Sequence, residues 1–147
     1  MSATFCNIKN NVRSTFQIDQ TIAIVIGDLY LDLHNSFDFI GYEYKSSEKI
    51  ARLEWRRGDG NWISKELPEK LILSFKGVTN FAAQRRDGAM PFTEDNCLAN
   101  ITFLPAGLED NFAAICPGHR SDDEHLSFAF QSGAGVKVWA ESVSHEI

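Results

Sequence analysis

A chain of 147 residues with 44% apolar and 23% charged residues has enough apolar material for one globular domain with its own core, which excludes a disordered or collagen-like chain. Aromatic residues make up 12% of the sequence and eleven of them are Phe, a bias that suits pleated sheets better than helices. The net charge of −6 is uneven: residues 1–86 carry twelve Lys/Arg against ten Asp/Glu, net +2, whereas residues 87–147 carry two against ten, net −8. Such a field repels phosphate backbones and argues against direct binding of nucleic acid.

In chain order, Thr4 to Ile8 alternates briefly, and Val12, Phe16 and Ile18 stand at even spacing, as in an edge strand or hairpin. Ile22 to Ile26 is the most apolar run. It is far too short to cross a bilayer, which takes about 20 residues, and it passes through Gly27 into the alternation Asp28 to Leu33. The stretch Thr21 to Leu33 therefore reads as two strands or one strand bent at Gly27. Phe37 to Tyr44 and Lys49 to Arg57 flank the turn-forming Lys45-Ser46-Ser47-Glu48 and form a hairpin, with Ala51, Leu53 and Trp55 on one face and Arg52, Glu54 and Arg56 on the other.

After the turn residues Gly58-Asp59-Gly60-Asn61 and Pro68 comes the central strand, in which Leu71, Leu73 and Phe75 alternate with Ser74 and Lys76 up to Gly77. Gln84 to Asn96 is a polar loop, Cys97 to Leu104 a strand, and Pro105 to Asp123 an irregular stretch with at most a turn or two of helix over Leu108 to Ile115. His125 to Phe130 and Val136 to Ala140 make a final hairpin around Gly133 and Gly135, followed by a mobile tail, residues 141–147. Short strands and turns with no long helical period predict a single-domain, mainly β fold: an antiparallel sandwich or rolled sheet of about eight strands with at most one short helix.

The residues that could carry chemistry are sparse. His119, Asp122, Asp123 and His125 are the densest set of metal-ligand types, but their spacing matches no metal signature and a solvated acidic loop is the simpler reading. Asp28, Asp32, His34 and Asp38 could serve acid–base chemistry; the alternation instead puts Asp28, Tyr30 and Asp32 on one solvent face. The sequence has no G-x-S-x-G elbow, local Cys/His signature or phosphate-binding glycine loop, so no catalytic residue, metal or cofactor is expected and the chain does not read as an enzyme. Cys6, Cys97 and Cys116 are odd in number and form no C-x-x-C pair; with no export signal at Met1 to Asn10, they read as reduced core residues of a cytoplasmic protein.

Arg52, Arg56, Arg57, Lys65, Arg85 and Arg86 could form a basic strip with Trp55 and Trp62, but Trp55 alternates to the face opposite Arg56 and belongs in the core. Trp62 and Trp139 could instead offer an aromatic platform to a sugar or small ligand. The acids Glu94, Asp95, Glu109, Asp110, Asp122, Asp123 and Glu124 fall in predicted loops and strand edges, where they could make one negative patch that steers a basic protein partner.

Two stretches also point to a known type. Leu73-Ser74-Phe75-Lys76-Gly77-Val78, followed about twenty residues later by Asn96-Cys97-Leu98-Ala99-Asn100-Ile101, resembles the strand–loop–strand core of some small bacterial immunity proteins found beside polymorphic toxins. Leu33-His34-Asn35-Ser36-Phe37 with the Ile40-to-Trp55 hairpin is similar to the segment upstream of it, departing at Asn35 where an acid is expected. The resemblance implies a non-enzymatic cytoplasmic protein that binds and neutralises a toxin. Composition and resemblance together lead to an inhibitor of a basic toxin or nuclease acting through the seven acids above; a carbohydrate- or small-ligand-binding β-domain is the alternative.

Overall fold

The computed structural model describes residues 12–104 and 124–147. These are mainly β, with twelve strands in three sheets, one short 3-10 turn (Phe92–Glu94) and no α-helix among the described residues. The predicted hairpin is present as β5 (Phe37–Lys45) and β6 (Ile50–Arg57), and β6 pairs antiparallel with the central strand β7 (Lys70–Lys76). β12 (Ser142–Glu146) lies on the far side of β7, and the two-residue β1 (Arg13–Ser14) runs parallel to β12, so the sheet order is β1-β12-β7-β6-β5. A second, antiparallel sheet has the order β8-β11-β10-β9, from β8 (Asn80–Gln84), β9 (Leu98–Leu104), β10 (His125–Phe130) and β11 (Gly135–Trp139). A small third sheet joins β2 (Gln17–Asp19), β3 (Ala23–Ile26) and β4 (Leu29–Asp32), with Gly27 at φ +58° in the β3–β4 turn.

The two larger sheets share a corner. β7 runs on into β8 and β11 into β12, so two neighbouring segments pass from one sheet to the other side by side. There the Glu141 N–H donates to the carbonyls of Lys76 (3.1 Å) and Gly77 (3.2 Å), and Thr79 N–H donates to Trp139 O at 2.8 Å. Gly77 takes φ +65°, a region L-residues avoid, and a methyl group on it would stand 2.5 Å from Glu141 Oε2. Strands that bend from sheet to sheet in this way make a rolled sandwich.

Between the sheets lies the core. Leu53, Trp55, Leu71, Leu73 and Phe75 from β6 and β7 meet Leu126 and Phe128 from β10, all fully enclosed. The Trp55 ring is 5.0 Å from Phe39 and 5.7 Å from Phe128, and Phe75 meets Phe128 edge-on at 6.3 Å. Trp55 therefore belongs to the core, as its alternation with Arg56 predicts.

One expectation changes and one strand is added. The tail expected after Glu141 is instead β12, because Val143 alternates inward opposite Phe75 and is 1% exposed, while the short polar residues beside it hide the pattern in the sequence. β8, whose Asn80-Phe81-Ala82-Ala83-Gln84 has little alternation, is a strand because it pairs with β11. The described residues hold twelve strands, among them β1 and β2 in the stretch from Val12 predicted as an edge strand or hairpin and β3 and β4 as the two-strand form of Thr21 to Leu33, and the mainly β sandwich stands as predicted. The alternation at Thr4 to Ile8, the helical turns at Leu108 to Ile115, Cys6 and Cys116 lie outside the described residues.

Candidate functional site

Of the seven predicted acids, three are described. Asp95 follows the 3-10 turn and accepts a hydrogen bond from Arg86 Nε at 2.6 Å; the same guanidinium donates to Met90 O at 2.7 Å and lies 4.4 Å above the Phe92 ring. That carboxylate closes a loop. Glu124 Oε1 accepts the Val12 N–H at 2.8 Å and ties the start of the described chain to the start of β10. Glu94 and Asp95 precede the Leu98 end of β9, whereas Glu124 precedes His125, which pairs with Leu104 at the other end. Six residues of extended chain separate these ends, about 20 Å at the strand rise, so Glu94–Asp95 and Glu124 are two separate places. Glu109, Asp110, Asp122 and Asp123 lie outside the described residues, as does His119.

The other polar concentrations come apart. His125 is 4% exposed and its ring stacks on Trp139 at 4.2 Å, an interior position. Among the described residues no group of three or more His, Cys, Asp or Glu is placed to hold a metal ion. Asp32 is a turn-former: its Oδ1 accepts the N–H groups of His34 and Asn35, and its Oδ2 accepts from Asn35 Nδ2. Asp28 sits in the β3–β4 turn and Asp38 on the outer face of β5, opposite Arg56.

The fold does bring one unforeseen pair together, Cys97 Sγ and His34 Nδ1 at 3.6 Å. His34 Nδ1 donates to the Leu98 carbonyl at 2.6 Å, so that nitrogen carries its proton and is not a base towards the thiol. Burial, and after it the carboxylates Glu94 and Asp38, push the Cys97 thiol above its ordinary value. A protonated thiol beside a donor nitrogen is the reverse of an activated nucleophile.

The arginines Arg52, Arg56, Arg57 and Arg86 of the basic strip each have a partner within the chain. Arg56 Nε meets Glu54 at 2.7 Å, Arg52 meets Glu146 at 3.8 Å, and Arg57 Nη1 donates to the carbonyls of Lys65 and Leu67. The tryptophans part company: Trp139 is buried, whereas Trp62 is 76% exposed.

The surface that sequence reasoning missed is β5. Among the described residues it is the longest strand and the last in its sheet, with Ile40 at 56%, Tyr42 at 51% and Tyr44 at 38% exposure. Its pairing with β6 slips between Phe39 and Gly41, so Ile40 is the extra residue of a β-bulge. Without the bulge, Tyr42 and Tyr44 would share the outer face with Asp38. With it they follow Phe37 and Phe39 onto the inner face, opposite Leu53 and Ala51, where Tyr44 stacks on Phe81 of β8 at 4.7 Å and Tyr42 meets it tilted at 5.2 Å. Ile40 turns outward to a shallow hollow shared with Glu43, Arg52, Glu54 and Ile72. Outside its own hairpin, the one backbone bond to β5 among the described residues is Phe39 N–H to Asn96 O at 2.9 Å. The phase slip F-D-F-I-G-Y-E-Y was visible in the sequence; the edge position was not.

At the other end of the hairpin an open cleft of about 610 Å³ lies between Asp38 and Arg56 and the loop that follows β6, with Gly60 and Ile63 in its wall. Trp62 stands beside it. No protein-family model, curated protein or solved structure matches the chain. No helix among the described residues is long and apolar enough to cross a membrane.

Proposed function

We propose that the chain is a non-enzymatic protein-binding domain, an inhibitor of the immunity-protein kind, whose partner adds an extended segment to the open edge of β5. The observation that carries this reading is that three large apolar side chains of one edge strand, Ile40 on its outer face and Tyr42 and Tyr44 on its inner one, stay well exposed. A long edge strand with exposed apolar side chains is an aggregation hazard when it has no partner. The strand offers apolar anchors on both faces, Tyr42 and Tyr44 on the inner one and Ile40 on the outer one, where Glu43, Arg52 and Glu54 border it with charge, an apolar centre with a charged border as in an interface. An added strand finds backbone groups to pair with, and the tyrosines and Ile40 read alternate side chains. The net charge of −6 favours a basic partner by steering its approach.

Affinity capture from a lysate of the source cells, with the wild type and with Tyr42→Ala/Tyr44→Ala as paired baits, tests this. One basic protein is expected on the wild type, released as salt rises and absent from the variant; once purified, it should bind with 1:1 stoichiometry, lose its activity on binding, and lose about 2 kcal/mol or more of affinity with the variant. Equal retention by both baits overturns the β5 site, and no specific retention overturns the inhibitor reading.

A further inference from the structure

The cleft beside Trp62 is 610 Å³, within the usual size of small-ligand sites, and is separate from the tyrosine edge. Asp38 lines it at the start of β5, whereas Tyr42 and Tyr44 lie towards the β5–β6 turn. From the geometry we infer that this cleft is a second binding site, for an uncharged carbohydrate.

Three observations lead there. Trp62 keeps 76% of its surface in water, where an indole ordinarily gains by burial. Its ring lies against Gly60, which lines the cleft: a methyl group there would come within 2.5 Å of Trp62 Cη2, so glycine leaves the room in which the ring rests on the backbone. The loop beneath is tied down by Gly58 N–H to Ser36 O at 2.9 Å, Ile63 N–H to Gly60 O at 3.1 Å, and Arg57 Nη1 to Lys65 O at 3.0 Å. A loop tied down in this way costs little further ordering when a ligand arrives.

The charges then select the ligand. Three carboxylates, Asp38, Asp59 and Glu69, and three cations, Arg56, Arg57 and Lys65, line the cleft and cancel. A phosphate or an ammonium would meet as much repulsion as attraction. A neutral polyol meets none, and finds both acceptors and donors for its hydroxyls, since carboxylates accept while guanidinium and ammonium groups donate. The C–H face of a pyranose ring carries slight positive charge and rests on the negative face of the indole. Donors, acceptors and a flat aromatic surface are together what an uncharged sugar needs and what a peptide cation or anion does not.

The test titrates the intact protein with cellohexaose, chitohexaose and maltohexaose, following heat and tryptophan emission. Trp55 and Trp139 are buried, so a ligand-induced change in emission reports Trp62. At least one glycan should bind and shield Trp62 from iodide quenching, with affinity changing less than about twofold as salt is raised tenfold, since no ion pair is made. Trp62→Ala should weaken binding at least tenfold and Asp59→Asn several-fold; both residues are exposed, and far-ultraviolet circular dichroism should report an unchanged fold. Tyr42→Ala/Tyr44→Ala should bind the glycan as the wild type does, which separates this site from the β5 edge. No binding by any of the three glycans, undiminished binding by Trp62→Ala, or a steep loss with salt would each overturn the inference.

Discussion

β6 and β7 occupy the middle of the same sheet whose edge is β5, and all three carry apolar side chains on the same face, yet the burial is opposite. Leu53, Trp55, Leu71, Leu73 and Phe75 are fully enclosed, whereas Tyr42 and Tyr44, which continue that face by one strand, keep about half to a third of their surface in water. The second sheet covers the central strands and reaches the edge, among the described residues, through Phe39–Phe130 contacts at one end and Phe81 at the other. Apolar area in the middle stabilises the fold; at the edge it contributes far less, because only the part removed from water counts. The difference separates residues kept for folding from residues free to serve a partner.

The largest expected effect tests the middle. Phe128 is fully buried and touches both Trp55 and Phe75 across the two sheets. Phe128→Ala removes a ring from the centre of the packing and should cost about 3–5 kcal/mol, the usual range for such a cavity. Urea unfolding of the variant measures it. A loss below about 1 kcal/mol would mean that the sheets do not interlock through this ring.

A smaller effect tests the bulge that turns the tyrosines inward. Gly41 has φ +156°, and a Cβ at that position meets no atom within 4 Å, so Gly41→Ala is a change of backbone strain alone. It should destabilise by about 1–3 kcal/mol, the range for holding a non-glycine residue in such a region. If the strand relieves that strain by losing the bulge, Tyr42 and Tyr44 exchange faces with Glu43 and Lys45 and the stacking on Phe81 disappears. Near-ultraviolet circular dichroism should then lose tyrosine signal along with stability. Unchanged spectra and unchanged stability would show that the bulge does not depend on glycine.

Much of the middle was legible because alternation states which side of a strand is apolar, and β5, β6 and β7 follow one another in the chain. The corner was less so. Val143 pairs with Phe75 across some seventy residues of sequence, and nothing near Ser142 or Ser144 announces that partner. The candidate sites were harder still, since exposure is decided by what the rest of the chain covers. Trp62 and Trp139 look alike as letters, but one rests on Gly60 in water and the other stacks on His125 inside. Asp95 looked like a surface charge and proves to be the partner of Arg86, nine residues away, a distance too short in sequence to suggest anything but a loop. The Cys97–His34 contact joins residues 63 apart and no local motif could reveal it.

The smallest expected effect decides whether the edge is as independent of the fold as its exposure implies. Ile40 points outward from the bulge and is 56% exposed, and threonine keeps the β-branch that suits a strand. Ile40→Thr should therefore change unfolding free energy by no more than about 0.5 kcal/mol, as surface substitutions away from packing usually do. Leu53→Thr, one strand inward and fully buried opposite Tyr42, should cost several times that, because it places a hydroxyl in the core as well as removing apolar volume. If Ile40→Thr proved as costly as Leu53→Thr, Ile40 would belong to the folding unit, and the argument that the β5 edge is free to take a partner would lose its foundation. If it proves silent in unfolding but weakens partner capture, the edge strand carries recognition with little share in stability, the division that an added strand requires.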